Sequence, residues 1–334
     1  MERRKFLKIG VGGVAGLVSG TAALLTWTPR SFAATVNISL NTVAGDITMP
    51  DNGSAYMLSF SSNNSPQFHG PTILCQEGDT VNVNINNNLS TDTSFVVTGT
   101  PINQSITANN SQSFSFSAPA PGTYIYHDDQ NNGVNRVMGL NGALVVMPNS
   151  NNQSFNNGPT FVRQYKWALH SVDPAWGDTL RSNGHNAVNN INPNSFNPRY
   201  FTLNGVSYPD THNPDTEIEG DYGEAALIRL INTGGMIHSP HFHGNHIEIT
   251  SINRSNFSGQ RKEKDIVSMM PLDARDVIFP FKPPPDAWPP ANGAQHYPMH
   301  CHSEMSQTMA GGSYPHGLHA AMVIGHSPAT EPTL

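Results

Sequence analysis

The sequence is short of charge and of cysteine. Only 12% of its 334 residues are Asp, Glu, Lys or Arg, and the formal net charge is −7. An acidic chain with scattered basic residues lacks the basic surface that nucleic-acid binding requires. The two cysteines, Cys75 and Cys301, allow only one disulfide bond. A disulfide explains neither histidine beside Cys301, so we predict a functional role for Cys301 and a small buried side chain at Cys75.

Long apolar runs are missing after the start of the chain, where no stretch is apolar for long enough to span a membrane. The start has a basic segment at 2–8, a Gly/Ala/Val/Leu-rich stretch to about residue 25 and the small-residue site Ser31-Phe32-Ala33. This order is typical of a secretory signal peptide, and Arg3-Arg4 before Phe-Leu-Lys resembles a twin-arginine signal. We predict that residues 1–34 are removed when a bacterial cell exports the protein by the twin-arginine route to the periplasm or the medium. Their removal takes the formal net charge from −7 to −11.

Glycine, proline and short alternating patterns are abundant instead. The chain has 29 Gly, 26 Pro and many Asn and Ser residues, which is typical of an all-β protein with long polar loops. Residues 71–85 alternate cleanly around a Glu-Gly-Asp turn. We predict an all-β fold of two β-sandwich domains at 35–149 and 161–334, joined by a polar linker at 150–160.

The most informative stretch is Met299-His300-Cys301-His302. Neighbouring side chains of a strand point to opposite faces, so Cys301 faces one way while His300 and His302 face the other. One short segment can therefore serve two metal centres back to back. A thiolate with imidazoles suits copper, and a trigonal His₂Cys site is typical of electron transfer.

A second histidine cluster, 238–244, reads His-Ser-Pro-His-Phe-His-Gly. The pattern H-x-x-H-x-H-G followed by H-C-H is similar to the copper-binding signature of the multicopper oxidases, laccase-like enzymes with cupredoxin domains. The resemblance implies two cupredoxin-like Greek-key β-sandwiches. It implies a type 1 copper at His238 and Cys301. It also implies a type 2/type 3 copper cluster whose ligands in this half are His241, His243, His300 and His302.

An internal repeat relates the two halves of the chain. Residues 78–87 match 223–232, residues 94–99 match 239–244, and residues 126–129 match 299–302. Asp128 therefore stands at the position of Cys301, so the first domain is predicted to lack a type 1 site. Val96 and Thr98 stand at the positions of His241 and His243, and neither is a good copper ligand.

The predicted cluster is consequently incomplete. The resemblance implies eight histidines, of which the chain supplies five: His127, His241, His243, His300 and His302. Asp129 falls where a sixth belongs, and a carboxylate can bind copper or iron. One metal ion, two or none at this cluster all remain open.

The type 1 site also departs from the family pattern. Ser306 stands where a histidine usually follows the cysteine, and the loop is longer, so His316 is the predicted replacement. Leu318 occupies the usual axial position, and Met322 lies on the same strand face as a candidate weak ligand. Further candidates are Met305, Met309 and, on the opposite strand face, His319.

The other histidines stand alone in the sequence, and we interpret them as surface or core residues. They are His69, His170, His185, His212, His296 and His326. His246 follows the second cluster, and we expect it in the core or beside a ligand rather than on a metal.

The resemblance implies an oxidase. A small-molecule or protein electron donor gives electrons at Cys301, they pass to His300 and His302, and oxygen is reduced at the histidine cluster. It further implies a homotrimer, in which His127 and Asp129 face His243 and His302 of a neighbouring subunit. The first alternative is a non-enzymatic copper-binding or electron-transfer protein. The second is an enzyme like copper nitrite reductase, although that enzyme carries its type 1 cysteine in the first domain.

Overall fold

The structure is a computed structural model that describes residues 15–149, 152–213, 216–259, 262–283, 294–310, 312 and 314–325. Strands of the first half are β1 (Gly16–Val18), β2 (Leu24–Leu25), β3 (Thr35–Thr48), β4 (Ser54–Ser61), β5 (Thr72–Gln76), β6 (Thr80–Asn87), β7 (Thr93–Val97), β8 (Asn103–Ile106), β9 (Ser111–Ser117), β10 (Gly122–His127) and β11 (Asn141–Met147). A short helix, α1 (Val134–Val137), lies between β10 and β11.

Two sheets form the first domain. One has the strand order β1-β5-β11-β10-β7-β8 and the other the order β4-β3-β6-β9. In β6 the residues Val81, Val83 and Ile85 are buried and alternate with more exposed neighbours, as expected for a strand with one face on a core. The core between the sheets also contains Cys75, so the buried position predicted for it is correct.

Strands of the second half are β12 (Arg163–Val172), β13 (Tyr200–Leu203), β14 (Ile218–Gly220), β15 (Ala225–Asn232), β16 (Pro240–Phe242), β17 (Ile247–Ile252), β18 (Ser255–Asn256), β19 (Lys262–Lys264), β20 (Ala274–Pro280), β21 (Gln295–Cys301) and β22 (His319–Ile324). The larger sheet has the order β13-β12-β15-β20-β17-β18, with β19 on β17 and β2 on β12. The smaller sheet has the order β14-β22-β21-β16. The predicted all-β fold of two cupredoxin-like sandwiches is confirmed.

The two domains share a buried interface. Helix α2 (Pro174–Asn183) leaves β12 of the second domain and packs on β4 of the first. A Cβ atom at Gly177 would lie 2.3 Å from the Tyr56 carbonyl oxygen, so this close approach requires glycine. Elsewhere in the interface the Thr123 hydroxyl donates to the buried Asp276, which pairs with Arg229 at 3.4 Å.

Part of the predicted signal peptide lies within the described residues. β1 pairs with β5 and β2 pairs with β12, so this segment contacts both domains. The buried Lys166 ammonium donates to the Gly20 carbonyl. Residues 1–14 lie outside the described residues, as do residues 150 and 151 of the predicted linker, and the removal of residues 1–34 stays a prediction. None of the helices in the described ranges is long and apolar enough to cross a membrane.

Candidate metal centre

The register of two strands aligns the motif residues. In the pairing of β16 with β21, Pro240 lies opposite Cys301 and His241 lies opposite His300. Strand alternation then separates two faces. Cys301 is buried in the core of the second domain, whereas His300 is partly exposed and His302 is exposed.

Four imidazoles meet on the outer face. Ring nitrogens of His241, His300 and His302 lie within 4.8 Å of one another. His243 Nε2 is 3.0 Å from His300 Nε2, and His302 Nε2 is 2.9 Å from His241 Nδ1. Two imidazole nitrogens on one ion, at about 2.0–2.1 Å and an angle of about 90–110°, lie about 3 Å apart. The donor atoms therefore fit a metal that prefers imidazole, such as copper.

The environment favours the neutral form of His300 and His241. Burial, followed by the nearby His243, His241 and His302, lowers the pKa of His300 to about 4. Burial and the neighbouring His243 and His302 also lower the pKa of His241. The Gln307 side chain acts on His300 in the opposite direction, yet the buried Nδ1 of His300 has no hydrogen bond of acceptable geometry among the described residues. Neutral imidazole is the form that binds metal.

The Cys301 sulfur lies among polar groups on the inner face. It accepts hydrogen bonds from the backbone N–H groups of Ser239 (3.2 Å) and Ser303 (3.5 Å), and His238 Nδ1 is 3.9 Å away. The other ring nitrogen of His238 contacts the Ser171 hydroxyl at 3.0 Å, so Nδ1 is the nitrogen that faces the sulfur. A trigonal ion about 2.3 Å from sulfur and about 2.0 Å from nitrogen separates these atoms by about 3.7 Å. Cys301 and His238 therefore fit two ligands of one ion.

The third ligand predicted for this pair is not assembled. Among the described residues, His316 does not form a three-donor group with His238 and Cys301. Its Nδ1 lies 3.5 Å from the Tyr208 carbonyl oxygen, and its ring lies beside Gly312. The role of His316 stays a prediction.

The axial position can be judged from the strand register. The Cys301 N–H donates to the Leu318 carbonyl at 3.1 Å, so Leu318 is the neighbour of Cys301 across the sheet. Met322 pairs with Tyr297, four residues from Cys301 and thus about 13 Å along the strand. The expectation that Met322 could be an axial ligand is therefore corrected, because period-two counting gives the strand face but not the distance along it.

The predicted ligands of the first domain lie apart from the histidine group. His127 pairs with Val96 across the strands, and its Nδ1 contacts the Asp128 carbonyl at 3.1 Å. The exposed Asp129 carboxylate accepts a hydrogen bond from the Ser94 hydroxyl at 2.8 Å. Within the described part of one chain neither joins the group of His241, His300 and His302. Their participation requires another subunit and stays a prediction.

Sequence reasoning missed one pair of histidines. His319 lies opposite His300 in the pairing of β21 with β22, and His212 Nε2 is 3.2 Å from His319 Nδ1. The sequence indicated His319 only as a further candidate for the type 1 site, and the register of β21 with β22 places it beside His300 instead. No local pattern indicated His212, which lies 107 residues from His319.

His69 and His170 are buried, as expected for isolated histidines, and His246 is exposed with a Glu263 neighbour at 3.7 Å. His326 lies outside the described residues.

Cys75 and Cys301 are both free and buried, in agreement with the prediction of no disulfide.

Comparison with known proteins supports the cupredoxin assignment. The multicopper oxidase family model matches residues 63–151. The blue copper oxidase from Nitrosomonas europaea superposes with a TM-score of 0.70 at 20% identity, covering 86% of this chain and 85% of that chain. The multicopper oxidase mgLAC gives 0.69 at 23% identity, covering 90% and 88%. A copper nitrite reductase from Nitrosomonas europaea gives 0.63 at 17% identity, covering 89% and 96%. A search of curated proteins finds no match to this sequence.

The resemblance to multicopper oxidases is thus confirmed in the fold of the described chain and in the sequence of residues 63–151. Copper, the predicted cofactor, is the metal for which the matched family and these solved structures are named. At these identities the solved structures show the fold alone, so the activity depends on the residues of this chain.

Proposed function

We propose that the protein is a copper-dependent oxidoreductase that oxidises a reductant at the Cys301–His238 pair and reduces oxygen at the histidine group of the outer face. One observation carries this proposal: the end of strand β21 presents Cys301 to the core, whereas His300 and His302, the residues on either side of it, meet His241 on the opposite face. Copper bound at the two sites supplies the one-electron redox chemistry. The covalent path from the Cys301 sulfur to either imidazole is a few bonds along one backbone.

The residues around Cys301 prepare the inner site. Two backbone N–H groups, of Ser239 and Ser303, donate to the sulfur and hold it in place beside His238. The Ser171 hydroxyl orients the His238 ring and keeps Nδ1 turned to the sulfur. Burial lowers the pKa of His238 to about 3, so this imidazole stays neutral through the physiological range.

The surface beside the inner site is apolar, which suits an electron donor that must come close to Cys301. Ile237, which precedes His238, and Met270, which follows the strand partner of His238, are exposed. Met305 in the loop after Cys301 is also exposed. The donor is a small molecule or a protein that contacts these side chains.

A second function is favoured by the first domain. Val96 stands opposite His127 where the second domain has His241 opposite His300, so a single chain offers only the outer ligands of the second domain. The alternative is therefore a copper protein that transfers electrons or holds copper without reducing oxygen. An enzyme like copper nitrite reductase is the third candidate, supported by likeness of fold alone.

The deciding experiment measures copper per chain, the visible spectrum and oxygen consumption on one copper-loaded preparation. Cys301→Ser should abolish the thiolate-to-copper band and electron-donor oxidation. Cys75→Ser, which changes the other buried cysteine, should leave both unchanged. A band that survives in Cys301→Ser would refute the assignment of the inner site.

Oxygen and nitrite assays separate the three functions. Oxygen consumption with an electron donor supports the oxidase. An intense band with neither oxygen nor nitrite turnover supports the electron-transfer protein. Nitrite turnover without oxygen consumption supports the third candidate.

We also propose export and assembly as the sequence suggests. The features of residues 2–33 favour twin-arginine export, and the separation of His127 and Asp129 from the histidine group within one chain favours a homotrimer that brings them together. The intact mass of the protein recovered from the periplasm tests the first. Light scattering tests the second, and a monomer with full oxidase activity would contradict it.

A further inference from the structure

We propose that His212 and His319 form an additional metal site, which takes a divalent transition-metal ion with a preference for imidazole. Cu²⁺ and Zn²⁺ are the ions of this chemistry. The site lies beside the outer histidine group and is independent of the proposed oxidase function.

The strand register brings His319 to this position. His241 lies opposite His300, and His300 lies opposite His319, so the three histidines form one row across β16, β21 and β22. Side chains directly opposite one another on a sheet share a face, with Cβ atoms about 4.5–5.5 Å apart. This row of histidines thus extends one strand beyond the outer histidine group, to His319 in β22.

His212 completes the pair from a different part of the chain. It lies in the loop that precedes β14, and its ring stacks on that of His319 with centroids 5.2 Å apart and an angle of 27°. The Thr211 hydroxyl donates to the His319 carbonyl, and the Tyr208 ring packs edge-on against both imidazoles. The loop is therefore fixed where it meets the strand.

The distance between the ring nitrogens fits a shared ion. His212 Nε2 and His319 Nδ1 are 3.2 Å apart, close to the 3.0 and 2.9 Å of the two pairs in the outer group. Two nitrogens on one ion lie about 3 Å apart. The competing arrangement is a single N–H···N hydrogen bond between two neutral rings, and the experiment below separates the two.

Further donors come from water. His212 is exposed, so water can fill the open positions around an ion. His296, four residues before His300 in β21, acts electrostatically on His212, but within the described residues it does not form a three-donor group with His212 and His319. The Tyr314 ring packs edge-on against both His300 and His319, with centroids 6.1 and 6.3 Å away.

The test is Zn²⁺ binding to metal-free full-length protein by calorimetry, with metal content after gel filtration as a second readout. We expect His212→Gln and His319→Gln each to bind one ion fewer than the wild type. His246→Gln changes another exposed histidine and serves as the control, with an unchanged number of ions. Because His319 is buried, unfolding of its variant would leave His212→Gln to decide the question.

Equal numbers of ions with equal affinity in the wild type and in His212→Gln would overturn the site and indicate a hydrogen-bonded pair. The proposed function fails differently. Loss of an ion in His212→Gln with no thiolate-to-copper band in the wild type would retain this site and remove the inner copper. A thiolate-to-copper band in the wild type, together with an unchanged number of ions in His212→Gln, would retain the inner copper and rule out this site.

Discussion

Asp128 of the first domain and Cys301 of the second occupy equivalent positions of the internal repeat. Backbone N–H groups at matching positions donate to both side chains, although one is a carboxylate and the other a sulfur. The Ser94 N–H donates to Asp128 at 3.2 Å, and the Ser239 N–H donates to the Cys301 sulfur at 3.2 Å. The backbone N–H two residues later also donates to each side chain. Gln130 donates to Asp128 at 2.7 Å, and Ser303 donates to the Cys301 sulfur at 3.5 Å.

Side chains make the difference between these positions. Asp128 also accepts hydrogen bonds from the Thr93 hydroxyl and from the Asn135 amide. In the repeat Thr93 stands where His238 does. Protein donors therefore saturate the carboxylate, whereas the Cys301 sulfur has room for the ion that we propose it shares with His238. The same hydrogen-bond frame holds a structural carboxylate in the first domain and surrounds the proposed metal pocket in the second.

The largest expected effect comes from removing the Asp128 carboxylate. Asp128→Ala should lower the free energy of unfolding of the metal-free protein by about 3–4 kcal/mol, because several buried donors lose their acceptor at about 1–3 kcal/mol each. Cys301→Ala in the same metal-free background should cost about 1–2 kcal/mol, since sulfur is the weaker acceptor and only two N–H groups depend on it. Urea unfolding of both variants measures the comparison, and equal losses would show that the two positions are equivalent.

A smaller effect follows from replacing His238, which faces Cys301, by threonine, the residue that faces Asp128 in the first domain. In His238→Thr the second domain receives the residue of the first and should lose the thiolate-to-copper band. The folded pKa of His238, about 3, lies below its ordinary value of 6.5, so the folded chain binds fewer protons than the unfolded chain in this window. Stability from this group is present above pH 6.5 and is lost as the pH falls towards 3.

Metal-free wild type should accordingly lose stability relative to His238→Thr on acidification, by up to about 1.4 kcal/mol per pH unit. Urea unfolding at several values between pH 4 and 7 measures this difference. His246→Thr, at an exposed histidine, is the control for a change in charge alone. A constant difference between the wild type and His238→Thr would contradict a buried, neutral His238.

The sequence was sufficient for whatever depends on periodicity and repetition. The alternation around 71–85 and the match of 126–129 with 299–302 predicted two sandwiches, and they also predicted that Asp128 replaces Cys301. The sequence did not predict the distances along and between strands. Met322 has the right parity for an axial ligand but pairs with Tyr297, and His212 meets His319 only because a distant loop packs on β22. Such contacts arise from tertiary packing, which local patterns do not encode.

The smallest expected effect concerns the outer face. Val96→His would give His127 the cross-strand imidazole partner that His300 has in His241, with Val96 only partly buried and thus tolerant of the larger ring. We expect a modest gain in Zn²⁺ affinity, about tenfold, and a change in stability within about 0.5 kcal/mol, as is usual for substitutions away from the core. Calorimetry and urea unfolding measure the two quantities. Glu304→His adds an imidazole at an exposed position of the second domain and serves as the control. If Val96→His gains no more affinity than this control, then His127 is not oriented towards its strand partner, and the difference between the domains lies in more than the missing histidine.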